Sequence, residues 1–101
     1  MAKAPADCTS MTDIRQEIDR IDQALMALFG ERWDYIGRAA EIKRGTGLKA
    51  DIPARVEEVR SNVRALAATL GLQPDFYDTL WAALIRQAIE HEKDILGETA
   101  D

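Results

Sequence analysis

The sequence predicts an all-α protein of three helices, one very long and two shorter. Three observations carry this. Apolar residues recur at steps of three and four through three long segments. Glycine and proline gather at the gaps between those segments. No stretch alternates apolar and polar residues as a strand would, and no repeat or low-complexity run interrupts the pattern.

Residues 1–10 are small and polar and are expected to form a flexible N-terminus. Residues 11–97 are expected to form one helical domain. Helix 1 should open at Ser10 or Thr12 as N-cap, with Asp13 adding negative charge to the first turn. Its apolar stripe is Ile14, Ile18, Ile21, Leu25, Leu28, Phe29, Ile36, Ala39 and Ala40. Gly30 and Gly37 fall inside the stripe, at about 1 kcal/mol each against alanine. The first convincing stop is Lys43-Arg44-Gly45-Thr46-Gly47, which ends the helix near residue 44. Gly45 to Pro53 reads as a loop, and Pro53 suits the first position of helix 2. Val56, Val59, Val63, Leu66 and Leu70 mark its apolar face, and Gly71 stops it. After a short loop, helix 3 carries Phe76 or Tyr77, Leu80, Trp81, Leu84, Ile85, Ala88, Ile89 and Ile95, and ends at Gly97.

A helix from residue 11 to 44 is roughly 50 Å long. A compact 100-residue domain has a radius of gyration of only ~13 Å. The rest of one chain cannot cover the whole stripe, so an intertwined homodimer is expected. The alternative is a break at Gly30 that folds the helix back on itself.

Composition narrows the function classes. The chain has 101 residues, 47% hydrophobic and 31% charged, with a formal net charge of −5, which is an ordinary globular composition. An acidic balance argues against nucleic acid as a partner, while a local cluster of cations can still hold a small anion. The single cysteine, Cys8, allows no internal disulfide and reads as an incidental reduced thiol. Neither a signal-peptide core nor an apolar run of about 20 residues is present, so no membrane association and a cytoplasmic location are expected.

The informative residues are polar ones on or beside the stripes. Arg32 and Lys43 are 11 positions apart, about 20° past three full turns, so they share a helix face about 16 Å apart. Arg15 and Arg32 are 17 positions apart, which separates them by about 100° around the helix and roughly 25 Å along it. Arg15 cannot join the others from the same helix, but an antiparallel second copy could supply it. Each could instead be a solvated charge, with Arg15 against Asp19 and Arg32 against Asp34 or Tyr35. Glu92 follows Leu84 and Ala88 at steps of four and so lies on the buried stripe of helix 3. A carboxylate there must be paired or protonated. It reads as a buried salt bridge, as a Glu at the edge of the stripe that reaches out to water, or as a site carboxyl able to donate a hydrogen bond. His91 is expected at the surface, and no metal-ligand spacing, nucleophile triad or phosphate loop occurs.

These residues together resemble the all-helical (AroQ-class) chorismate mutases. The resemblance rests on Ile14-Arg15-Gln16-Glu17-Ile18, Ile21-Asp22, Leu25, Leu28, Glu31-Arg32 and Lys43, and extends from about residue 8 to 96. Asp7-Cys8-Thr9 with Asp13-Ile14-Arg15 and Ile18-Asp19-Arg20-Ile21-Asp22 looks especially like the isochorismate-pyruvate lyase branch. The resemblance implies a dimer with two sites built from both chains and a dianionic substrate, chorismate or isochorismate, with no cofactor and no metal. Arg15 would come from the opposite protomer to bind one carboxylate, and Arg32 would bind the other carboxylate region from its own chain. Lys43 would reach the ether oxygen of the breaking bond, Arg55 would supply a further arginine, and Glu92 would stand where bacterial members usually have glutamine.

The chain also departs from the family pattern. Ile52 and Val56 stand where typical mutases have Asp and Glu, and Ala88 where serine is common. The substrate-binding set, Arg15, Arg32, Arg55, Val56 and Ala88, thus lacks the usual hydroxyl partners. Glu92 would have to be protonated to donate to the ether oxygen. The expected activity is chorismate mutase, with Lys43, Glu92 and Arg32 as the catalytic set. The alternatives are isochorismate-pyruvate lyase and a non-catalytic helical dimerisation module.

Overall fold

The computed structural model describes residues 2–98. A short 3-10 turn, Pro5–Asp7, precedes three helices: α1 (Met11–Thr46), α2 (Pro53–Thr69) and α3 (Pro74–Leu96). The all-α expectation holds. Helix α1 runs two residues beyond its expected end, and Gly30 and Gly37 both lie inside it without a break. A Cβ at either glycine would meet nothing within 4 Å, so no neighbour within the chain requires them.

The described residues divide into two compact units, one ending at Asp34 and the other beginning at Tyr35. In the first unit, Ser10 is the N-cap: its Oγ accepts the Asp13 N–H at 3.1 Å. Asp13 in turn accepts the Thr9 N–H at 3.0 Å and pairs with Lys3 at 3.2 Å. Those contacts, the Thr9 N–H first, hold the Asp13 carboxyl below the usual carboxylate range. The apolar stripe of α1 is largely open to solvent here, with Ile18, Ile21, Leu25 and Leu28 all exposed.

In the second unit, Arg60 makes a two-pronged contact with Asp78 at 2.7 and 2.9 Å, and Arg64 bonds Asp75 at 2.6 Å and Asp78 at 3.2 Å. Arg60 therefore faces Asp78 while Arg64 reaches Asp75, so α2 and α3 run antiparallel. The buried residue near the end of α2 is Ala67, whereas Leu66 and Leu70 are exposed. At 100° per residue Leu66 and Leu70 both lie within about 60° of Val59 and Val63, so the expected stripe keeps its register, and its end is left uncovered within the chain.

The Arg60 hydrogen bond, with Arg64 adding charge, holds the Asp78 carboxyl below its ordinary value of 3.8. A carboxyl lowered on folding stabilises the fold above its unfolded value, and that contribution disappears as pH falls through the lowered folded value. The thermal midpoint is therefore expected to drop steeply as pH falls below 3.8. Asp78→Asn should start lower and lose less over the same range. Melting curves of both proteins between about pH 2 and 6 check this, and equal slopes would contradict it.

Candidate active site

The end of α1, the α1–α2 loop and α3 meet within the second unit. Lys43 projects from the last turns of α1, and its Nζ lies 2.8 Å from Oε1 of Glu92 on α3. The same ammonium donates to the carbonyl oxygen of Ala50 in the loop at 3.1 Å. Glu92 is buried, 7% exposed, and is the one buried charged residue among those described. Its Oε1 makes no well-aligned hydrogen bond, so the contact with Lys43 is one of charge rather than of directed bonding. An unpaired carboxylate at this depth would cost several kcal/mol. The ammonium opposite compensates it.

Lys43 and Glu92, both expected to reach the same ligand atom, are thus brought into direct contact. An ammonium has three donors. One is spent on Ala50 and another faces Glu92, which leaves a third for an incoming acceptor. A positive charge held in a partly dry setting acts more strongly on developing negative charge than the same group in water.

The other expected residues are placed less closely. Ala88 is buried on α3, one turn before Glu92. Val56 is half-buried on α2 and lines an open cleft of about 430 Å³ with Asp51, Ile85 and Ile89. Ile52 serves as the N-cap residue of α2, its carbonyl accepting the N–H groups of Arg55 and Val56 at 2.9 and 3.1 Å. Arg55 is exposed and pairs with Glu58 one turn on. Arg15 and Arg32 belong to the first unit, Arg15 exposed and Arg32 half-buried. Among the described residues neither arginine has an ion-pair partner, so the pairings with Asp19, Asp34 or Tyr35 are not formed. His91, expected at the surface, is half-buried. No group of three or more potential metal ligands occurs among the described residues, and no described helix is long and apolar enough to cross a membrane.

Three parts of this region escape sequence reasoning. Ala50 holds Lys43 through a backbone carbonyl, and a small apolar loop residue carries no signal of that. Arg44 donates to the carbonyl of Ile95, tying the end of α1 to the end of α3. Glu98 accepts the Ala50 N–H at 3.4 Å. Its position is set by the chain reversal at Gly97, which the sequence does mark as a helix stop.

Comparison with known proteins places these residues in context. Residues 14–93 match the family model for chorismate mutase type II. The chain is 36% identical over 92 residues to an isochorismate pyruvate lyase of Pseudomonas aeruginosa, covering 89% of this chain and 88% of the relative. It is 31% identical to a 4-amino-4-deoxychorismate mutase of Streptomyces pristinaespiralis, covering 92% and 73% of the two chains. It is 27% identical to a chorismate mutase of Methanocaldococcus jannaschii, covering 88% and 90%.

Proposed function

The chain belongs to the chorismate mutase type II family, and we propose that it rearranges chorismate to prephenate at a site organised around Lys43. The observation that carries the reading is the buried contact of Lys43 with Glu92 at 2.8 Å, reinforced by the Ala50 carbonyl. A pericyclic rearrangement breaks the bond to the ether oxygen as a carbon–carbon bond forms, with no nucleophile and no net proton transfer. The protein has to fold a dianion into a compact conformer and stabilise the charge that grows on the ether oxygen. Lys43 supplies a fixed cation for that charge, and Glu92 and Ala50 hold the cation in place. Arginine forks suit the two carboxylates. Arg32 binds one from its own chain, Arg15 binds the other from the second copy of a homodimer, and Arg55 adds a further cation. Restricting the conformer lowers the entropic part of the barrier.

The open apolar stripe of α1 supports the homodimer. Ile18, Ile21, Leu25 and Leu28 are each at least 46% exposed, a larger apolar strip than a solitary chain ordinarily leaves in water.

A second reading is favoured by one feature. Val56 and Ala88 give the pocket no acceptor where the family pattern has polar side chains. A substrate whose ring hydroxyl sits elsewhere then loses nothing, and isochorismate, shedding pyruvate to leave salicylate, is such a substrate. Incubating the purified protein with each substrate and following prephenate and salicylate separately decides between them. Prephenate as the main product is the expected result. Salicylate alone would establish the lyase, and turnover of neither would leave a non-catalytic helical module.

A further inference from the structure

We propose that Glu98 is a positioning residue that holds Lys43 in register through the Ala50 backbone. The inference rests on the reading of Lys43 as the cation at the reacting oxygen. The connection begins at the end of α3. Gly97 takes the left-handed conformation with φ 73, open at little cost only to glycine. The reversal lets the Glu98 N–H return to the Lys93 carbonyl at 2.9 Å, the terminating bond of a Schellman motif. Glu98 is thereby turned back over the α1–α2 loop.

There its Oε2 accepts the N–H of Ala50 at 3.4 Å and its Oε1 lies 3.8 Å from Lys49 Nζ. Its side chain is 19% exposed, whereas Lys49 stands 79% exposed. The directed contact is therefore the one to the backbone. Ala50 is 3% exposed. Its N–H is taken by Glu98 and its carbonyl by Lys43 at 3.1 Å. One buried residue thus joins a carboxylate at the end of α3 to the ammonium at the end of α1. Arg44, donating to the Ile95 carbonyl, closes the same junction one residue beyond Lys43.

Without the Glu98 acceptor, the buried Ala50 N–H loses its partner and the loop has a reason to shift toward water. The Ala50 carbonyl then moves off Lys43, and an ammonium with a wider range of positions stabilises the transition state less. Substrate carboxylates do not depend on this junction, so KM should be spared.

The test uses the full chain with Glu98→Ala and Glu98→Gln. Glutamine keeps a side-chain oxygen that can accept the Ala50 N–H. Glu98→Ala is expected to lower kcat about tenfold with KM within about twofold, and Glu98→Gln to recover kcat to within about twofold of wild type. An unchanged kcat in Glu98→Ala, an equal loss in Glu98→Gln, or kcat and KM moving together would overturn the proposal. A second measurement does not depend on turnover. Hydrogen exchange of the Ala50 amide should quicken, and the side-chain nitrogen resonance of Lys43 should shift, in Glu98→Ala and not in Glu98→Gln. If both stay unchanged the proposal fails, whatever the assays give. If wild type turns over neither substrate, the functional reading fails while these two signals still decide the Glu98 connection.

Discussion

Lys43→Ala is expected to lower kcat by about two to three orders of magnitude, the loss typical of removing one preorganised donor from developing negative charge. KM should change far less, because the arginines proposed to grip the carboxylates remain. The variant also strands Glu92. A buried carboxylate left without its partner costs about 3–5 kcal/mol, so a lower melting midpoint will accompany the lost activity. Lys43→Met combined with Glu92→Gln separates the two effects. That pair removes the stranded charge and should recover most of the midpoint while turnover stays at the level of Lys43→Ala. Wild-type kcat in Lys43→Ala, on whichever substrate the protein accepts, would refute the assigned site.

The second large effect concerns Arg15. Arg15→Ala and Lys43→Ala should each be nearly inactive as pure proteins. Unfolded together and refolded as a mixture, they should regain roughly a quarter of wild-type specific activity, because half of the randomly paired dimers contain one intact site. The intact site takes Lys43 from the Arg15→Ala chain and Arg15 from the other. A mixture no more active than its components would show that Arg15 serves its own chain or no site at all. Sedimentation of the same mixture reports whether dimers formed, so an assembly failure is told apart from a misplaced arginine.

Much of the fold was legible because helical periodicity and stop signals agree. Pro53, Pro74, Gly71 and Gly97 stand at or beside the helix ends, and Ser10 caps α1 as its side-chain chemistry suggests. The stripe of α2 was legible in its register, while the exposure of its end at Leu66 and Leu70 was not, because periodicity gives the face of a helix and not what covers it. The candidate site was legible where a charge lay on a buried stripe. Glu92 announced itself by the cost of its burial, and Lys43 by sharing a face of helix 1 with Arg32. Which partner would compensate Glu92 was not legible, because no local pattern links positions 43 and 92. The Ala50 contacts were hidden for a different reason: they use backbone groups, which every residue has. The link from Glu98 to Ala50 is likewise a product of the chain reversal at Gly97, not of any motif.

The residues buried among those described are Ala40, Ala50, Ala67, Ala88 and Glu92, and no large side chain is fully enclosed. Alanine brings little apolar area out of water, while ordering each residue costs about 1–2 kcal/mol of conformational entropy. In the homodimer proposed above, apolar surface on the second copy meets the shortfall. On the two-chain reading, folding and assembly are then one event, and the amount of protein enters its own folding equilibrium. Dilution acts on such a chain as a denaturant does.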